Sequence, residues 1–215
     1  MENSRKPAGG RQLPPSRKSV SDNPSSRFDP ANDGIDHINI LFHKAKTKLG
    51  HELSHFTKMK FTHPYLGYFT SMEGFWFYVR SGCVADDLRY KYGFDAKQEG
   101  RQYESKWNQH FEEDIMAGNY QKIIQNPDLL ESFVNSQLPF THYYLFDTAN
   151  GGQHKVSARG EAWLSKGFED LRTALKEQRV PECWINAEQR YVQAHADTPV
   201  VVPAETQSSG KPDAF

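Results

Sequence analysis

The chain has 215 residues, with 26 Lys and Arg against 27 Asp and Glu, so a net charge of −1 gives no global pull towards nucleic acid or a membrane surface. Its length suits one domain with tails. No apolar run approaches the ~20 residues of a membrane span, and no signal-peptide block opens the chain. Cys83 and Cys183 stand in no redox or metal spacing; a lone distant pair fits a reducing compartment, so the expected location is the cytoplasm.

Residues 1–34 are rich in Pro, Ser, Gly and Arg without apolar periodicity, which predicts a disordered, locally basic tail. Ile38, Ile40 and Phe42 alternate as in a strand. Phe61 to Phe69, interrupted by Pro64 and Gly67, predicts a short hairpin. The apolar run opened by Thr70-Ser71-Met72-Glu73 and ended at Gly82 predicts a buried helix. Asp86 to Tyr92 and Asp95 to Glu99 read as short helices, Glu104 to Gln125 as a longer one, and Asn126-Pro127 as the start of another. Leu138 to Phe146 is expected to be extended, with a glycine turn at 150–152 and a return strand over His154 to Ala158. Leu164, Phe168, Leu171 and Leu175 mark one face of a helix from Glu161 to Gln178. The expectation is a helix-rich α+β domain over 35–190, built around a small sheet, with a flexible tail over 191–215. The 14 Phe, 10 Tyr and 4 Trp can fill its core and also supply flat surfaces for stacking.

Two motifs compete within Leu49 to Trp76. His51-Glu52-Leu53-Ser54-His55 matches H-E-x-x-H, in which two histidines one helical turn apart share a metal, and Glu73 follows where some zinc peptidases place a third ligand. Gly50 before the motif, His63, Pro64 and Gly67 soon after it, and the basic, polar stretch His43 to Lys48 argue against the long buried helix this requires. A zinc peptidase is therefore the least favoured alternative, and neither metal nor cofactor is expected.

Separated blocks point elsewhere. Ile38-Asn39-Ile40, Lys44-Ala45, Leu49-Gly50, Leu53-Ser54-His55-Phe56, Ser71-Met72-Glu73-Gly74-Phe75-Trp76, Ala96-Lys97 with Gly100-Arg101, Trp107, and Leu138 to Tyr144 follow one another in order. Together they resemble the YbiA-like, or NADAR, family, in its phage-type or toxin-associated branch, over about 35–175. That resemblance implies an α+β enzyme that binds ADP-ribose or a related ribosyl phosphate and cleaves its N-glycosidic bond. Members remove ADP-ribose from guanine in nucleic acid or hydrolyse ribosylated riboflavin-pathway intermediates. They sit beside toxins that ADP-ribosylate DNA, as antitoxins, or in phages that must escape them. The implied partner is an ADP-ribose-containing nucleotide, or ADP-ribosylated DNA or RNA, and no membrane.

Breaking such a bond builds positive charge on the anomeric carbon, which needs a nearby carboxylate or nucleophile. Glu73 is the candidate carboxylate, although Thr70-x-x-Glu73 also reads as a capping box. The resemblance places Lys44 as the amine that forms a Schiff base with the opened sugar; it must then be neutral, with Lys46 and Lys48 as the nearby positive charge. Arg101 is the candidate pyrophosphate ligand. Ser54, Phe56, Trp76, Trp107 and Tyr143 are candidate substrate contacts, with core packing the competing role for the aromatics. Two departures stand out: His55 replaces the family's asparagine, and the family's late aspartate is matched either by Asp147 or by Ser157. If the acid is lost, a non-catalytic nucleotide binder is the alternative.

Overall fold

The α-helix starts at Lys48 and at Met72 each carry a side-chain cap. The computed structural model describes residues 27–158 and 160–196, and among these the elements run β1 (Ile38–Asn39), α1 (Lys48–Leu53), β2 (Phe61–His63), β3 (Gly67–Phe69), α2 (Met72–Arg80), α3 (Gly93–Gly100), α4 (Phe111–Ile124), α5 (Pro127–Asn135), β4 (Phe140–Thr141), β5 (Tyr143–Asp147), β6 (Gln153–Ser157), α6 (Glu161–Lys176) and α7 (Glu182–Ala196). Thr47 caps α1 by accepting from Gly50 N–H, and Ser71 caps α2 by accepting from Gly74 N–H. Pro127 opens α5, where its missing N–H costs nothing. The result is an α+β fold, as the mixed periodicity predicts.

Strand pairing is local except at one place. β2 and β3 form an antiparallel hairpin, as do β5 and β6, with Tyr143 opposite Ser157 and Asp147 opposite Gln153. β1 pairs in parallel with β4, Ile38 opposite Phe140, joining the beginning of the domain to its second half. The expected single small sheet is thus three two-stranded pieces. β1 and β4 have only two residues each, so helices carry the packing.

α4 is the centre of the helical layer, touching α2, α5, α6 and α7. One core unites Ile40, Leu53, Ile123, Leu129, Phe133, Phe140 and Phe168; a second gathers Phe61, Phe69, Met72, Phe75 and Ile115 around α2. Among the described residues, no helix is long and apolar enough to cross a membrane.

Boundaries differ from expectation at both ends of the domain. Residues 1–26 and 197–215, most of the expected tails, lie outside the described residues. The domain nevertheless begins before 35: Asp33 is buried, its carboxylate accepting from Asn39 and Lys46 backbone N–H groups at 2.9 and 3.1 Å, and Phe28 packs on His37. At the other end the chain does not loosen at 191. α7 continues to Ala196 because Trp184 and Ala187 bury against Ala117 of α4, and Arg190 hydrogen-bonds Glu113 and Asp114. Its spaced apolar residues among Glu, Gln and Arg look solvated until α4 covers them.

A candidate ligand cavity with a buried glutamate

Glu73 owes its environment to the way α2 begins. The cap is Ser71, one residue later than the expected Thr70, so Glu73 is not the reciprocal partner of a capping box. Its own N–H donates to the His55 carbonyl at 2.8 Å, tying the start of α2 to the loop after α1. Glu73 is 8% exposed, and no hydrogen bond to its carboxyl occurs among the described residues. Burial, opposed by the Lys97 and Arg101 charges, pushes it up to about 7 from 4.5. An acid tuned to neutral pH in a cleft suits proton transfer.

Glu73 opens onto a cavity of about 470 Å³, a size typical of small-molecule sites. Its wall is assembled from separated segments: Ile40 to Lys44, Ser54 to Phe56, Glu73 and Trp76 of α2, Phe94 and Lys97 of α3, His142 with Tyr144 to Phe146 of β5, and Trp163 of α6. Trp76 and Trp163 stack with centroids 5.9 Å apart. On another side Phe56 meets Phe42 and Phe94, and Lys97 lies over the Phe56 ring at 5.1 Å. Tyr144 and Phe146 continue the aromatic lining and are partly open to solvent. The site therefore combines an ionisable acid, flat apolar surfaces and two lysines.

Lys44 stands at this cavity with φ of +70°, a left-handed conformation costing a residue with Cβ roughly 1 kcal/mol. Its ammonium bonds Asp147 at 2.6 Å, joining the loop after β1 to the tip of the β5–β6 hairpin. The expected neighbouring cations are absent from this contact. Lys46 donates to the Ala31 carbonyl at 2.7 Å and Lys48 pairs with Glu52 at 3.5 Å. Lys44 is thus met by a carboxylate, the opposite of the arrangement that would favour a free amine. The Lys44 contact holds Asp147 below the usual carboxylate range. Ser157 lies on β6, paired with Tyr143.

The cavity brings together Lys44, Ser54, Phe56, Glu73 and Trp76 from the expected set, and Asp147 reaches it through Lys44. Arg101 does not line it; it ends α3 one turn beyond Lys97, close enough to act on Glu73 through its charge. Trp107 is 92% exposed, outside the cavity, and Tyr143 is 0% exposed, its hydroxyl hydrogen-bonded to His37 Nε2 at 2.7 Å. Both corrections have plain causes. Tyr143 takes the competing core role: its side chain turns inward from β5, while the residues on either side of it, His142 and Tyr144, line the cavity. Trp107 precedes α4 instead of lying within it, because the helix begins only at Phe111.

Lys97, His142 and Trp163 line the cavity although the expected site set does not contain them. Lys97 carried a signal, standing one helical turn from Arg101; Trp163 belongs to an otherwise ordinary amphipathic helix and carried none. Also unforeseen is Lys122 of α4, fully buried, which donates to the Glu52 and Ser54 carbonyls at 2.5 and 3.1 Å. Burial, opposed by Glu52, lowers it to about 7.

The H-E-x-x-H pattern does not form its required geometry. α1 ends at Leu53, so His55 is not one helical turn from His51. His51 Nδ1 lies 2.8 Å from the Phe42 carbonyl, while His55 Nε2 faces Asn119. Among the described residues no cluster of three or more His, Cys, Asp or Glu is placed to hold a metal ion. Comparison with protein-family models, with curated proteins and with solved structures finds no match for this chain.

Proposed function

We propose that this chain is an N-glycosidic hydrolase that removes ADP-ribose from ADP-ribosylated guanine in nucleic acid, or from a related ribosylated nucleotide. One observation carries the reading: Glu73, Lys44 and the aromatic residues Phe56 and Trp76 border a single cavity, although they come from distant parts of the chain. The resemblance to the YbiA-like, or NADAR, family supplies the reaction class, and the chemistry of the cavity suits it.

Cleavage moves the electrons of the glycosidic C–N bond onto the leaving nitrogen and leaves positive charge on the anomeric carbon. Glu73, with a carboxyl near 7, gives its proton to that nitrogen and then faces the cationic sugar as a carboxylate. Water can take the anomeric carbon directly. Alternatively the Lys44 amine bonds to it and loses a proton. The ring C–O bond then opens, the ring oxygen taking a proton, to leave the imine. Water hydrolyses that imine, the sugar re-closes and the amine is restored. Either route consumes one water and yields free ADP-ribose and the unmodified base. The amine route first requires the Lys44–Asp147 contact to open and the ammonium to lose its proton.

That contact favours a second reading, a protein that binds ADP-ribose-like nucleotides without turnover, since an ion-paired ammonium is no nucleophile. Incubating the full chain with ADP-ribosylated DNA and chelator, and quantifying free ADP-ribose, separates the two. The hydrolase reading expects release that falls at least about 100-fold in Glu73→Gln. Calorimetric binding of ADP-ribose with no release selects the binder, and neither binding nor release rejects both. Cyanoborohydride trapping on Lys44 distinguishes the imine route from direct attack by water.

A further inference from the structure

His55 lies between Asn119 of α4 and the cavity, and its hydrogen bonds determine which ring nitrogen carries the proton. Asn119 Nδ2 is 3.2 Å from His55 Nε2 and 3.1 Å from the Ile115 carbonyl. A carbonyl only accepts, so one amide hydrogen goes to Ile115 and the other faces His55 Nε2, with the weakly accepting Met116 Sδ farther off at 4.0 Å. His55 Nε2 is therefore an acceptor, and Nδ1 bears the ring hydrogen. Among the described residues Nδ1 has no hydrogen-bond partner, yet it is not sealed from solvent. His55 borders the cavity, and its ring lies 5.6 Å from that of Trp76, which also lines it.

Its loop is held from two sides. Lys122, three residues beyond Asn119 on α4, grips the Glu52 and Ser54 carbonyls, and the His55 carbonyl accepts from Glu73 N–H at the start of α2. This is the preorganised support expected of a group that contacts a ligand.

We infer that His55 is a specificity-determining residue of the cavity, presenting a fixed Nδ1–H donor that takes a hydrogen-bond acceptor of the ligand (a carbonyl or hydroxyl oxygen, or an unprotonated ring nitrogen) and disfavours an N–H group there. The identity of the ligand rests on the hydrolase reading; the presented donor does not. Burial, with the Lys122 and His142 charges, keeps the ring well below its usual range and hence neutral. The mismatch penalty is that of a polar group left unpaired on binding.

The test uses the full chain with 15N-labelled histidine, followed by turnover of ADP-ribosylated guanosine. Wild type is expected to show His55 as the Nδ1–H tautomer, its proton exchanging with water through the cavity. Asn119→Asp offers only acceptors and is expected to switch the ring to Nε2–H. In kinetics, His55→Asn, which keeps one N–H donor, is expected to hold KM within about 3-fold. His55→Phe and Asn119→Asp raise it at least about 10-fold, one lost hydrogen bond. An Nε2–H tautomer in wild type overturns the inference, and so does an unchanged KM in His55→Phe. Wild type that shows the exchanging Nδ1–H but neither binds ADP-ribose nor releases it refutes the hydrolase reading and supports the donor.

Discussion

At the scale of the residue, Glu73 combines a functional position with an energetic penalty. Its folded carboxyl stays protonated up to about 7 while the unfolded one ionises at 4.5. Unfolding therefore releases a proton between those values, and stability falls as pH rises through them. Above that window the loss reaches about 3 kcal/mol, at ~1.4 kcal/mol for each pH unit between 4.5 and about 7. Glu73→Gln keeps the shape and removes the ionisation. The expected outcome is a variant more stable than wild type by about 2–3 kcal/mol at pH 8, and equal to it near pH 4.5, by urea unfolding. The same variant should lose glycosidase turnover. Equal stability at pH 8 would mean that the carboxylate is better solvated than its burial indicates.

At the scale of the element, the start of α2 holds the site, and its closest contact is backbone to backbone. A Cβ on Gly74 would lie 2.3 Å from the Leu88 carbonyl oxygen, so no side chain can move aside to relieve it. Gly74→Ala is expected to destabilise by about 2–4 kcal/mol and to lower the chemical-denaturation midpoint. A midpoint within experimental error of wild type would show that α2 and the turn before Lys91 separate without cost. The β5–β6 hairpin behaves differently. Its tip is tied to the loop after β1 by Lys44 and Asp147, whose side chains are 33% and 73% exposed. Exposed pairs contribute at most about 1 kcal/mol, so Asp147→Asn should leave thermal stability nearly unchanged. Its effect belongs to the cavity: freeing Lys44 should increase cyanoborohydride trapping if the amine route operates. Reduced trapping would instead make Asp147 the group that positions or deprotonates the amine.

At the scale of the whole molecule, buried groups set opposing pH dependences. His63 is fully buried, and its Nδ1 accepts from the Tyr65 and Leu66 N–H groups at 3.3 and 3.2 Å. Protonating that nitrogen would set three donors against one another, and burial lowers the group to about 4 from 6.5. The unfolded chain takes up a proton below 6.5 that the folded one refuses until about 4, so this contribution is complete above 6.5 and is lost on acidification. His55 and His142 are shifted in the same direction. Glu73 works against all three between 4.5 and about 6.5. Stability of Glu73→Gln should thus rise more steeply across that interval than that of wild type, by about one proton, or ~1.4 kcal/mol per pH unit. Parallel pH profiles for the two proteins would remove Glu73 from this balance.

Helix and hairpin positions were legible in the sequence wherever the signal was local. Pro127, the turn at Gly67 and the apolar period of α6 act within a few residues, and propensity acts at that range too. Capping is less legible there: Thr47 is not an expected cap, and the cap of α2 is Ser71 rather than Thr70. Glu73 could be singled out as a candidate acid, but its freedom from the capping box came only with the cap at Ser71. What local pattern cannot contain is which faces meet across a hundred residues. The phase of β5, the burial that raises Glu73, the Asp147 partner of Lys44, the buried Lys122 and the covering of α7 by α4 all arise when distant segments exclude water from one another. Desolvation and hydrogen-bond partnership are properties of that assembly, and no single segment of the chain possesses them alone.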